Sequence, residues 1–293
     1  MDTRLSTAAP ALPETPAPHA PAGRPTAPVR LPHDACGARW LPGLESVAAH
    51  GPGAGWLHDT LLGPHSADIV KYLTLTGSRQ VKVLDLGAGS GRLSVPFAHH
   101  GHRVQAVDRD SPSLARLESW AVRLGPDVRA RLTPVRAELA GLRLRSTYHL
   151  AVLAGAMVSA VPPHRRRGLF REIARHLEDD GALALDYTAH APAGLAKEPS
   201  RTWAFQVPRF DGVSELVLAR QTFDLRTMSE RISYHSRLQD GEGTRHSVLT
   251  THKWIVDPGG LDADLRTAGL RVAEREEHRI DHRTRSTLLV CRA

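Results

Sequence analysis

Cysteine, lysine and long apolar runs are all scarce in this 293-residue chain, and each shortage narrows what it can be. The two cysteines, Cys36 and Cys291, stand too far apart in sequence for a metal knuckle or a redox pair. A reduced, cytoplasmic setting is therefore the default, and no metal is expected. No stretch approaches the roughly 18 consecutive apolar residues of a membrane-spanning helix, so no membrane partner is expected. Asp2, Glu14 and seven prolines before residue 30 interrupt any apolar core a secretory signal would need. Only four of the 38 basic residues are lysine, at 71, 82, 197 and 253, so arginine carries the net charge of +7. A basic balance can point to nucleic acid. Here it accompanies abundant Ala, Gly and Pro, which is the composition of a GC-rich coding sequence. A run such as His164-Arg165-Arg166-Arg167 then reads as a solvated helix start, and no nucleic-acid partner is expected.

What is present divides the chain into three. Residues 1–30 are dominated by Pro, Ala and Thr, with too little apolar surface to offset the entropy of ordering, and read as a disordered tail. Residues 31–79 read as a helical cap. Within it Trp56, Leu57, Leu61 and Leu62, then Ile69, Val70, Tyr72 and Leu73, recur at helical spacing on either side of Gly63-Pro64. Residues 80–293 read as one catalytic domain. Its first half alternates short apolar strands (81–86, 103–107, 132–137, 148–154, 182–187) with helices (92–100, 113–124, 166–177), the pattern of a parallel sheet covered on both faces. Asp179-Asp180-Gly181 reads as the turn before the fifth strand. From about residue 200 to 256 longer alternating runs (214–222, 229–239, 247–256) predict an antiparallel insertion. A helix at 261–268 and strands at 270–278 and 283–291 close the domain.

The turn after the first strand carries the chemistry. It reads Val83-Leu84-Asp85-Leu86-Gly87-Ala88-Gly89-Ser90-Gly91. Glycines let the backbone turn sharply and let a ligand approach without a Cβ in the way. The helix that follows presents free N–H groups at its start. A dinucleotide site would read G-x-G-x-x-G, which asks for glycine where Arg92 stands. The turn is instead G-x-G-x-G, with Asp85 two residues ahead. That acid would oppose a pyrophosphate but suit the ammonium of an amino-acid moiety, directly or through water. Asp108, followed by Arg109, ends the second apolar strand, where an acid can accept hydrogen bonds from both ribose hydroxyls. A helix cap is the other role open to such an aspartate, and Asp110 can fill it.

Val83 to Gly91 resembles motif I of the class I, Rossmann-like methyltransferases that use S-adenosyl-L-methionine (SAM), and Val104 to Asp108 resembles their second motif. The resemblance covers roughly residues 80–190 and implies a seven-stranded, mostly parallel α/β sheet. It places Asp85, Gly87, Ala88, Gly89, Gly91, Asp108 and Arg109 at the cofactor. It also implies an adenine-contacting pair after the third strand, Ala137-Glu138, with Glu138 where the family usually has aspartate. Ala154, opening the loop after the fourth strand, would line the cofactor, and Gly181 stands where the family usually has Pro-Gly.

Transfer from a sulfonium depends on positioning. Neutral amines attack unaided, whereas hydroxyls usually need a base. No clustered carboxylates suggest a metal-assisted O-methyltransferase. Base methylation is disfavoured because Ala154-Gly155-Ala156-Met157 replaces the Asn/Asp-Pro-Pro-aromatic motif, and Pro162-Pro163 come too late. The capping helices and antiparallel insertion resemble small-molecule N-methyltransferases, such as those acting on glycine and aminosugars. Val152 to Leu185 also resembles actinobacterial natural-product methyltransferases, including those of daptide-type peptide and mycofactocin pathways. The expected acceptor is thus an amine of a small molecule or peptide. A sugar or phenolic hydroxyl is the alternative, followed by a SAM-binding subunit without activity and an RNA methyltransferase. A homodimer is compatible with all of these. Tyr187 and His190 follow the fifth strand, where acceptors usually sit. Tyr187 is a candidate to hold a cationic amine and His190 to take a proton. Trp56 and His58 on the cap, with Trp203 and Phe205, are the candidate pocket walls.

Overall fold

The computed structural model describes residues 29–30, 44–47, 67–208, 214–240 and 243–293. Its main body is a seven-stranded sheet in the order β12-β13-β7-β6-β3-β4-β5. The strands are β3 (Lys82–Leu86), β4 (Arg103–Asp108), β5 (Leu132–Arg136), β6 (Tyr148–Leu153), β7 (Leu177–His190), β12 (Arg271–Arg279) and β13 (Thr284–Arg292). From β5 to β7 neighbouring strands are parallel; β13 runs antiparallel to both β7 and β12. Parallel strands need crossovers, and the helices that supply them bury both faces. That is why β3 is buried from Val83 to Leu86 without alternation.

The pleat sends alternate side chains to opposite faces. Val83, Val152, Ala182 and Ala184 pack with Tyr72, Phe97 and Leu117 from α1 (Ala67–Thr74), α2 (Ser94–His99) and α3 (Ser111–Leu124). Leu84, Leu86, Leu183, Leu185 and Tyr187 pack on the other face with Leu169, Phe170, Leu261 and Leu265. Those come from α5 (Pro163–Ala174) and α7 (Pro258–Thr267), after the short α4 (Pro126–Ala130). The chain leaves β3 for β4 and β5, then returns to β6 on the other side of β3. Such a switch point opens a crevice at the carboxyl ends of the strands, where ligands bind in open α/β sheets.

A second, six-stranded sheet has the order β1-β8-β9-β10-β11-β2. It comprises β1 (Val29–Arg30), β2 (Leu44–Val47), β8 (Ser200–Pro208), β9 (Ser214–Asp224), β10 (Ser229–Asp240) and β11 (Gly243–Trp254), with α6 (Pro192–Lys197) linking it to β7.

Four features differ from the sequence expectation. Val29–Arg30, at the end of the expected tail, pairs antiparallel with β8, and Leu44–Val47, inside the expected helical cap, pairs parallel with β11. Ser200–Pro208 is a strand, absent from the three alternating runs because Ser200 and Thr202 are themselves buried. Asp179-Asp180-Gly181 is not a turn: β7 runs through it, and a register shift against β6 between Tyr148 and Leu150 absorbs the extra residues. Of the cap's two expected helices, α1 covers the second and residues 56–62 lie outside the described residues. Among the described residues no helix is long and apolar enough to cross a membrane.

Candidate active site

The glycine turn leaves β3 at the crevice. The N–H groups of Gly87 and Ala88 both donate to the carbonyl of Val107, at 2.8 and 3.0 Å, tying the turn to β4. Gly91 has φ +97°, and a Cβ there would lie 2.9 Å from both Leu117 Cγ and Val95 Cγ2. It is glycine so that the turn can close onto α3. Gly89, at φ +55°, is different: a Cβ there would meet nothing within 4 Å. It faces open space beside the strand ends, the kind of cradle that a ligand backing onto a glycine requires.

Asp108 closes that cradle. Its Oδ2 accepts the Gly89 N–H at 2.8 Å and its Oδ1 accepts the Asp110 N–H at 2.8 Å. A carboxylate has about four acceptor sites, so both oxygens remain able to accept a further hydrogen bond from a vicinal diol. Asp110 takes the capping role instead, accepting the Ser113 N–H at the start of α3. The turn and Asp108 therefore fit a nucleoside with free ribose hydroxyls. Ala137 donates its N–H to the Asp108 carbonyl, and Glu138 stands at the rim with Arg109, 3.7 Å away.

Asp85 is buried, on the α1–α3 side of the sheet, and its Oδ2 accepts the Ser94 hydroxyl at 2.5 Å. Burial pushes its pKa up to about 6, with Asp108 adding to the rise and Ser94 and Arg92 opposing it. Here Asp85 braces the first residue of α2, so any help to a cationic ligand is added to that bond.

The loop after β6 is held by residues that sequence reasoning missed. Gly155 and Ala156 both have positive φ, 71° and 56°, a strained choice for alanine. Both N–H groups donate to Asp186, at 2.7 Å to Oδ1 and 2.9 Å to Oδ2, and Tyr72 on α1 donates its hydroxyl to Oδ1 at 2.7 Å. Burial raises the pKa of Asp186 despite these three donors, and burial beside Asp186 raises that of Tyr72. Next to them Arg92 pairs with Asp68 at 2.5 Å, fastening the glycine turn to α1. The signal in the sequence was a lone acid inside the apolar run Ala182 to Tyr187, since an acid is rarely buried without partners.

Tyr187 is not in the crevice. It is 1% exposed, packs on the α5–α7 face, and its hydroxyl accepts from Arg275 Nη1 at 3.1 Å. The pleat puts Asp186, not Tyr187, on the α1 side. His190 lies where β7 meets the second sheet. Its ring packs edge-on against Phe223 at 4.8 Å, and burial, with Arg283 and Arg201, holds its pKa below the ordinary value against Glu230 and Asp281. Trp203 and Phe205 lie on β8, on the same sheet face as Phe223. Ala154 is buried just ahead of the strained loop. Trp56 and His58 lie outside the described residues. His149, Glu178 and Asp180 form a cluster of metal-ligating type at the opposite, amino-terminal ends of β6 and β7, where Arg79 already bonds His149 and Asp180.

The fold is Rossmann-like, and residues 83–181, about a third of the chain, match the family model described as a methyltransferase domain. Over 143 residues the chain is 35% identical to the cypemycin N-terminal methyltransferase of a Streptomyces species, across 48% of this chain and 54% of that protein. The chain thus spans about half the length of this curated relative. The CcbJ methyltransferase of Streptomyces caelestis superposes with a TM-score of 0.63 at 22% identity, covering 78% of this chain and 95% of that one. The glycopeptide N-methyltransferase MtfA, solved with SAM, superposes with a TM-score of 0.52 at 21% identity over 78% and 93%. At these identities the structural likeness is one of fold.

Proposed function

We propose that this protein is a SAM-dependent N-methyltransferase acting on an amine of a small-molecule or peptide natural product. The observation that carries the cofactor half is the open space at Gly89 beside the Asp108 carboxylate. In this reading Asp108 holds the ribose, Ala137 and Glu138 flank the adenine, and Asp85 and the Gly155-Ala156 loop lie toward the methionine end. SAM supplies an electrophilic methyl group on a sulfonium. The protein's part is to align the acceptor nitrogen with it and to exclude water. The amine half is supported by the 35% identity to an enzyme named for N-terminal methylation. An acceptor that arrives as ammonium must lose a proton before its nitrogen has a lone pair. His190, where β7 meets the second sheet, is the candidate to take it. Trp203 and Phe205 would wall the acceptor.

Calorimetric titration tests the reading. SAM is expected to bind at micromolar concentration, NADH not to bind, and Asp108→Ala to lose SAM. A peptide with a free N-terminal amine should then gain methyl groups by mass spectrometry, while its N-acetylated form should not. Absence of SAM binding, or a preference for NADH, would overturn the proposal.

A further inference from the structure

The covered face of the second sheet carries a half-buried carboxylate, Glu230, that among the described residues closes no ion pair. Buried Val217, Ala219 and Phe223 alternate along β9 with exposed Leu216 and Arg220, which identifies the covered side. Trp203, Ala219 and Tyr234 stand opposite one another across β8, β9 and β10 on that side. The small alanine leaves a gap of two strand spacings, roughly 10 Å, between the two aromatic residues. Glu230 lies opposite Phe223, against which His190 packs.

Glu230 is half-buried, and its Oε1 accepts the Gln221 side-chain amide at 2.5 Å. Lys253 is its cross-strand neighbour on β11, yet among the described residues the two form no ion pair. The arginines beside His190 pair elsewhere, Arg201 with Asp281 and Glu198 and Arg283 with Glu198, although the Arg283 guanidinium also lies 5.7 Å from the Phe223 ring centre. Burial and, after it, the charge of Glu230 push the Tyr234 hydroxyl up to about 12.

We propose that Glu230, opposite Phe223 and on the same sheet face as Tyr234, is the counter-charge for a cationic amine on the methyl acceptor, and so selects an amine over a hydroxyl. The inference rests on the methyl-transfer reading above. A partly desolvated carboxylate is unfavourable until a cation meets it, and aromatic faces attract ammonium groups further. A neutral hydroxyl acceptor would leave the charge uncompensated. Gln221 fixes the orientation of the carboxylate, and His190 packs on Phe223, the residue opposite Glu230.

Tetramethylammonium and tert-butanol serve as charged and neutral probes of one shape. Each is titrated into protein saturated with S-adenosylhomocysteine, following tryptophan fluorescence. Tetramethylammonium is expected to bind saturably and tert-butanol not to bind. Glu230→Gln is expected to weaken the cation about tenfold or more, the scale of one charged contact, and Glu230→Asp to retain most of it. SAM affinity, measured first on every protein, is expected to be unchanged and reports that each variant is folded. Equal cation affinity in wild type and Glu230→Gln, or no saturable cation binding while SAM binds, overturns the proposal. Failure of SAM to bind the wild type would instead remove the methyl-transfer reading, and this inference with it.

Discussion

Replacing Asp85 by asparagine is expected to stabilise the ligand-free protein at neutral pH while weakening its hold on SAM. The carboxyl is buried against Ser94, and burial lifts its pKa from the ordinary 3.8 to about 6. A folded-state pKa above the unfolded one means that folding takes up a proton. The group's contribution is therefore complete below about pH 4 and is lost as pH rises through about 6. A shift of about two units corresponds to about 3 kcal/mol. Asparagine keeps the shape and can still accept the Ser94 hydroxyl, but it does not titrate. The stability of wild type minus that of Asp85→Asn should fall by about 2.4 kcal/mol between pH 4 and pH 7, roughly 5 °C or more in melting temperature. Asp281 and Glu172, whose pKa values are lowered, move stability in the opposite direction. They do so in both proteins and cancel in the difference. Urea titrations of both proteins across that range measure the effect. A constant difference, or a wild type that gains on the variant with rising pH, would refute the argument. SAM affinity on the same samples separates the two roles: a loss supports contact with the ligand's ammonium, and no change confines Asp85 to bracing α2.

Two paired substitutions test the rest of the crevice. Gly89→Ala points its new methyl into open space and should cost only about 1–2 kcal/mol of stability from its positive φ, yet lower SAM affinity tenfold or more. Gly91→Ala drives a Cβ into Leu117 and Val95 and should cost about 3 kcal/mol; similar SAM losses at similar stability would contradict the distinction. Tyr72→Phe removes one donor from buried Asp186 and should cost about 1.5–3 kcal/mol, with weaker SAM binding as the Gly155-Ala156 loop loosens. Tyr187→Phe removes only the contact with Arg275 on the far face, should cost about 1 kcal/mol, and should leave SAM affinity and turnover unchanged.

These pairs also mark where the sequence could be read and where it could not. Val81 to Leu86 and Val104 to Asp108 announce themselves because strands buried on both faces are short unbroken apolar runs. An acid that ends or interrupts such a run stands out against them. The glycine turn and Asp108 were legible for that reason, and Asp186 was equally visible but unused. The second sheet was harder. Its strands alternate, so each residue's side is known relative to its neighbours, but the side that is covered depends on what packs there. Leu44–Val47 and Val29–Arg30 pair with strands some 200 and 175 residues away, and nothing local encodes such a partner.

Tyr187 shows what parity alone cannot decide. Period two places Asp186 and Tyr187 on opposite faces of β7 from sequence alone. Which face borders the crevice depends on register, and register joins Asp85 on β3 to Val152 on β6 and Val152 to Ala184 on β7. That row puts Asp85 and Asp186 on one side of the sheet, Asp85 against Ser94 of α2 and Asp186 against Tyr72 of α1. Both are acids inside apolar runs of their strands, and burial raises the pKa of both. A fold selected for stability alone would place apolar side chains at both positions. Their shared side, facing Arg92 and Tyr72 at the strand ends, is the physical reason to look for the methionine end of the cofactor there and not beside Tyr187.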